Sequence, residues 1–205
     1  MEWNGFFCRK KSSVEDYVRE HLCLNAPVIA GLKPAAIFTV SYEEKKMLES
    51  LFSRYNDFRI ETLHSGKKES IFLYRKSVFF RHLQNRNLRR FLSSLDLGYK
   101  EDKTGNYLFL FKERFRKYKD CGATFPHEVG IFLGYPPEDI RTYMEDPYRK
   151  AKLTGYWKVY SNEEAALQLF RAYDSCIQKF LQLLEDGFSL RSIVESYGLR
   201  KDKAA

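Results

Sequence analysis

His127 and Glu128 stand side by side in Phe125-Pro-His-Glu-Val-Gly-Ile131. An imidazole beside a carboxylate is a pairing that general acid–base chemistry uses, because the one titrates near neutrality and the other can orient it. A zinc site of the H-E-x-x-H type would need a second histidine at position 131, which is isoleucine, so that motif is absent. Adjacent helical positions also point about 100° apart, so the two side chains cannot easily serve one atom. The plainer expectation is a histidine near a helix start that bonds to a loop carbonyl. A second unusual string is Gly155-Tyr-Trp-Lys-Val-Tyr160. Alternation along a strand puts Tyr156, Lys158 and Tyr160 on one face and Trp157 and Val159 on the other. The first face could meet an anionic or aromatic group with Lys158 supplying charge, or could simply face solvent over a buried Trp157. With Tyr135 between the two strings, the candidate ligand or partner site is His127, Glu128, Tyr135, Tyr156, Lys158 and Tyr160.

Other routes to chemistry close quickly. Cys8, Cys23, Cys121 and Cys176 are far apart with no C-x-x-C pair, which fits reduced thiols in the cytoplasm better than zinc ligands or a disulfide framework. Gly130 and Gly134 sit four apart, as in close helix packing, and no G-x-G-x-x-G or Walker loop occurs. No metal site and no cofactor is predicted. Without a nucleophile, metal cluster or cofactor loop, nothing fixes a reaction class, and enzyme or binding protein stays open.

Charge gives a different clue. The chain of 205 residues carries a formal net charge of +8. Between Ser65 and Lys119 there are 15 Lys and Arg against 5 Asp and Glu, so the remainder is slightly acidic. Such a block can steer an acidic partner, and Arg86, Arg89, Arg90, Lys112, Arg116 and Lys117 are its candidate contact residues; a solvated helical surface is the simpler reading. Val129–Met144 and Leu190–Leu199 imitate helix-turn-helix segments. However, the would-be recognition helix opens on Pro137-Glu138-Asp139, whose charge would repel phosphate and argues against nucleic acid.

The elements that must position these residues follow from periodicity. Ser13 with Asp16 caps a first helix; Ala35–Ser41 reads as a buried strand, followed by a helix whose inner face is Met47, Leu48, Leu51, Phe52 and Tyr55. Phe58–Leu63 and Ser70–Tyr74 read as paired strands, with Gly66 supplying a positive φ to the turn. Basic helices over Val78–Gln84 and Leu88–Leu97 follow, then one within Thr104–Tyr118. Thr124 caps a short helix that Gly134 ends, and Pro136-Pro137 opens another. A strand at Gly155–Tyr160 precedes a long helix, capped by Ser161 and Glu164 and running to Glu185, then a short last helix. The prediction is one α+β domain over 1–205: a small, mostly antiparallel sheet of about four strands, split βαβ in type and covered on one side by helices. A helical insertion occupies about 77–150, before the last strand, and C-terminal helices about 162–197. At 44% apolar and 16% aromatic residues the chain can bury a phenylalanine-rich core. Met1–Phe7 is acidic and short, unlike a secretion signal, and Lys33 interrupts the most apolar stretch, so no membrane span is predicted.

The strings Phe125-Pro-His-Glu-Val-Gly-Ile-Phe-Leu-Gly-Tyr-Pro-Pro-Glu-Asp-Ile140 and Gly155-Tyr-Trp-Lys-Val-Tyr160 resemble those of the bacterial family called domain of unknown function 3793. Ala26-Pro-Val-Ile-Ala-Gly-Leu-Lys-Pro-Ala-Ala-Ile-Phe38 is similar to its N-terminal stretch, with a departure after the leucine–lysine pair. The resemblance covers about residues 20–185 and implies no activity. It carries an association with flavodoxins, which are acidic. An accessory protein that binds a flavodoxin-like partner through its basic stretch is therefore the leading expectation; a small anionic-ligand binder or enzyme centred on His127 and Lys158 is the alternative, and nucleic-acid binding the third. Oligomeric state is not legible.

Overall fold

The computed structural model describes residues 13–198. Cys8 and the Arg9-Lys10-Lys11 cluster lie outside the described residues, as does Leu199.

The chain opens with α1 (Val14–Leu24) and a single turn, α2 (Ala26–Ile29). Ser13 and Asp16 form the expected reciprocal capping box on α1, each bonding the other's backbone N–H. β1 (Ala35–Val40), α3 (Tyr42–Phe52), β2 (Phe58–Ser65) and β3 (Glu69–Arg75) then build a three-stranded sheet in the order β1-β3-β2. Both outer strands run antiparallel to β3, from Ala35 opposite Tyr74 to Phe58 opposite Arg75. β1 and β2 are thus parallel, joined by α3 and parted by β3: the split βαβ arrangement.

The central strand explains why the sheet has two covered faces rather than one. Ile71 and Leu73 pack into a core with α1, α2, α3, α9 (Glu163–Glu185) and α10 (Leu190–Gly198). Phe72 and Tyr74 point the other way, into a second core formed by the insertion. The unbroken run Ile71-Phe72-Leu73-Tyr74 is what a strand buried on both faces requires. The insertion supplies α4 (Lys76–Leu83), α5 (Arg86–Ser94), α6 (Tyr107–Cys121), α7 (Val129–Phe132) and α8 (Pro137–Glu145).

Four local expectations are corrected. Gly66 does not take a positive φ; the β2–β3 register instead shifts between Thr62 and His64, and that bulge provides the local twist. Thr124 caps no helix, because Phe125 precedes Pro126 and is driven to extended backbone, so α7 is one turn. The cap of α9 is Asn162, whose side chain accepts from the Ala165 N–H, since the Ser161 N–H is bonded to Asp139. Finally, Gly155–Tyr160 is a hairpin rather than one strand. β4 (Leu153–Thr154) pairs with β5 (Lys158–Val159) as a separate two-stranded sheet. Among the described residues no helix is long and apolar enough to cross a membrane.

Candidate functional site

α7, α8 and the β4–β5 hairpin meet around a cleft of about 310 Å³. Proline opens α8 at its first position, and Gly134, at φ 90°, ends α7 and reverses the chain so that the two helices pack together. Contact is close: a Cβ on Gly130 would lie 2.8 Å from Ile140 Cδ1. This packing, with α7 only four residues long, leaves no helix-turn-helix at Val129–Met144.

The fixed point of the site is Asp139, in the first turn of α8 and only 2% exposed. Oδ2 accepts the Trp157 indole N–H at 2.8 Å, while Oδ1 accepts the backbone N–H groups of Tyr160 at 2.9 Å and Ser161 at 2.7 Å. One buried carboxylate thereby fastens the hairpin to α8. A charge so deep is tolerated because three donors and the positive end of the helix meet it. Trp157 is held between rings: Tyr135 stacks at 5.0 Å, and Phe170 of α9 meets it edge-on at 4.5 Å. Burial raises the Tyr135 phenol above its ordinary pKa.

The opposite wall is Phe125, His127 and Tyr143. The His127 ring lies 5.2 Å from that of Phe125 and 5.5 Å from that of Tyr143. Lys158 Nζ sits 5.3 Å from the centroid of the same Tyr143 ring and donates to the Pro147 carbonyl at 3.3 Å. Neither His127 nor Lys158 pairs with a carboxylate among the described residues. His127 and Lys158 therefore bring two nitrogen groups to a cleft whose other lining is aromatic and aliphatic apart from Asp139, whose two oxygens are already taken by Trp157, Tyr160 and Ser161, and the lining offers no serine, threonine or cysteine nucleophile.

Of the six residues singled out from sequence, His127, Tyr135 and Lys158 line the cleft. Glu128 does not. It is 1% exposed, pointing into the insertion's core, where it accepts from the Tyr99 hydroxyl at 3.2 Å and forms an ion pair with Arg114. His127 and Glu128 thus diverge, as adjacent positions on a turn should. Tyr156 leaves too: the hairpin turns it onto α9, where its hydroxyl donates to Asp174 at 2.8 Å. Burial and then Asp174 push that phenol's pKa up. Tyr160 is half-buried beside the site, and its hydroxyl has no hydrogen-bond partner among the described residues. Sequence reasoning missed Asp139, Phe125 and Tyr143 as site residues.

The basic stretch is less of a surface than its charge count suggests. Arg75 is buried, Lys112 pairs with Glu61 at 2.6 Å, and Arg114 is taken by Glu128. Arg116 bonds Glu113 at 2.8 Å, and half-buried Arg89 donates to the Glu101 carbonyl. Arg86, Arg90 and Lys117 are exposed without a carboxylate partner among the described residues.

The fold and cleft define an α+β protein with a split βαβ sheet, helices on both faces, and a small aromatic cavity carried by the insertion and hairpin. The chain matches the family DUF3793, protein of unknown function, over residues 22–194, and belongs to it. The cleft falls wholly within that span. No curated protein and no solved structure matches the chain.

Proposed function

We propose that the cleft binds a small planar ligand bearing a negative charge, an aromatic carboxylate or a similar anion. The observation that supports this most is the convergence of His127 and Lys158 on the Tyr143 ring, each without an acidic partner among the described residues, in a cleft whose other walls are Phe125, Val129, Gly130, Tyr135, Ile140, Trp157 and the already bonded Asp139. Flat rings provide stacking area, and two nitrogen donors select for an anion. The volume suits one or two fused rings.

The test follows the Trp157 indole ¹⁵N–H NMR signal, in a Trp3→Phe background that leaves it the sole indole. 2-Naphthoate, 2-naphthylmethanol and 2-naphthylmethylamine are titrated in turn. Naphthoate should bind most tightly, and Lys158→Met and His127→Phe should each remove that preference with little change in melting temperature. Equal response to the three probes, or a large fall in melting temperature for both variants, would return these residues to a packing role.

A second reading places an acidic protein, flavodoxin-like, on the basic stretch. Its support is the exposure of Arg86, Arg90 and Lys117 without carboxylate partners among the described residues. Binding to a purified flavodoxin should weaken steeply with salt, since exposed charges are screened beyond about 8 Å at physiological ionic strength. Arg86→Glu, Arg90→Glu and Lys117→Glu together should abolish it; a salt-independent interaction would exclude this reading. The unpaired Cys23, Cys121 and Cys176 support a reducing, cytoplasmic setting for either role.

A further inference from the structure

Among the described residues Arg75 is the one strongly basic side chain in the core. It sits at the end of β3, 2% exposed, with its guanidinium 5.0 Å from the centre of the Phe58 ring. Two of its three nitrogens are engaged. Nε donates to Asp57 at 2.9 Å, and Nη1 donates to the carbonyls of Ile29 at 2.9 Å and Tyr197 at 3.3 Å. Nη2 makes no hydrogen bond among the described residues. Asp57, the only carboxylate on the guanidinium among the described residues, also accepts from the backbone and hydroxyl of Ser77 at 2.8 Å each, so its charge is shared.

Arg75 lines a cavity of about 420 Å³ on the side of α9 that carries Ala172, Ser175, Cys176 and Lys179. Lys179 is exposed at its edge with no acidic partner among the described residues, and Ser175 adds a hydroxyl. The remaining wall is Ala30, Leu32, Ala172, Cys176 and Tyr197, mostly apolar. Burial pushes the Cys176 thiol up to about 11, so it contributes as a small neutral group. Arg75 Nη2 is not among the sealed, unpartnered side-chain atoms of the described residues, so it keeps access to the cavity and presents a donor edge there that a ligand can take over from water.

We propose that this cavity is a second ligand site, taking a small carboxylate with a short apolar chain. The carboxylate is met by Arg75 Nη2 and Lys179 Nζ, and the chain lies along Leu32, Ala172 and Cys176. An arginine edge suits a planar carboxylate, and the neighbouring cation raises the selectivity for an anion. The site is independent of the aromatic cleft, on which none of its lining residues lies.

Calorimetry in low-chloride buffer tests it with hexanoate, hexan-1-ol, hexylamine and acetate. Hexanoate should bind best, with acetate weakened by loss of the chain and hexylamine not binding. Lys179→Met should lower hexanoate affinity by up to about five-fold, as expected for one partly solvated charge. Ala172→Phe, which fills the cavity from the face of α9, should abolish hexanoate binding while 2-naphthoate still shifts the Trp157 signal. The Arg75 Nε–H NMR signal should move with hexanoate and not with hexanol. Hexylamine binding as tightly as hexanoate, no hexanoate binding at all, or undiminished binding to the Ala172→Phe variant would overturn the assignment.

Discussion

The Trp157 indole N–H is bonded to the Asp139 carboxylate at 2.8 Å, joining the tip of the hairpin to the first turn of α8 across eighteen residues of chain. The other oxygen of Asp139 takes two backbone N–H groups just beyond the hairpin, so a single side chain sets both the indole plane and the path into α9.

Asp139→Ala should therefore leave one buried and two half-buried donors without their acceptor. The cost is about 3 kcal/mol or more, and the melting temperature should drop by roughly 6–12 °C for a chain of this size. Asp139→Asn keeps one oxygen for the backbone donors but sets an amide against the indole, and should fall between the two. Thermal unfolding followed by circular dichroism checks both; an alanine variant as stable as wild type would mean that the carboxylate does not hold the hairpin.

Much of this architecture was legible because its signals are local. The α1 capping box, the Gly134 stop and the proline start of α8 each depend on residues within one turn, and the split βαβ order follows from β1, α3, β2 and β3 in sequence. The site was legible only in part. Asp139 already has a sufficient local reason to exist, as a carboxylate in a helix's first turn, and its partners lie about twenty residues on. Adjacency already argues that Glu128 and His127 diverge, but not where Glu128 goes: Arg114 and Tyr99 draw it into the core. Arg75 was counted as surface charge because a composition block cannot distinguish a buried guanidinium from an exposed one. Two-face burial of the sheet did have a signal, the run Ile71–Tyr74, which reads correctly once strand alternation is seen to be missing.

The thiols should divide by burial. Burial pushes Cys23 up to about 12 and Cys176 up to about 11, whereas Cys121 is exposed at the end of α6. The attacking species is the thiolate, so at pH 8 the two buried groups are almost wholly inert. In a Cys8→Ser background, Ellman's reagent should titrate one thiol quickly in the native protein and three in denaturant. Three fast thiols in the native state would contradict the buried placement of Cys23 and Cys176.

His82 ties α4 to α7, its Nε2 lying 2.8 Å from the Ile131 carbonyl, and burial lowers its pKa from the ordinary 6.5. The sign is fixed by proton counting. Below about pH 6.5 the unfolded chain takes a proton on this imidazole that the folded chain resists, so acid favours unfolding. Stability from His82 is full above that pH and is lost as pH falls through the depressed folded value. His82→Gln keeps an N–H for Ile131 and has nothing to titrate. Urea unfolding at pH 7.5, 6.5 and 5.5 should show wild type losing stability relative to His82→Gln on acidification. Parallel profiles would remove His82 as the source.

Gly155 makes the sharpest packing prediction, because there the cleft and the core share one contact. It lies in the turn between β4 and β5, and a Cβ built on it would stand 2.4 Å from Cε2 of Phe170. Phe170 is buried and itself meets Trp157 edge-on at 4.5 Å, so it cannot retreat without disturbing the indole. Gly155→Ala is thus an overpacking change, with an expected cost of about 1–3 kcal/mol, and it should shift the Trp157 indole signal and weaken 2-naphthoate binding. Phe170→Leu alone leaves a void and also destabilises. In the double variant the new methyl group occupies space that the ring has vacated, so the two costs should be well short of additive. Additive losses would show that the hairpin moves away from α9 rather than pressing on Phe170, and that Trp157 is held by Asp139 alone.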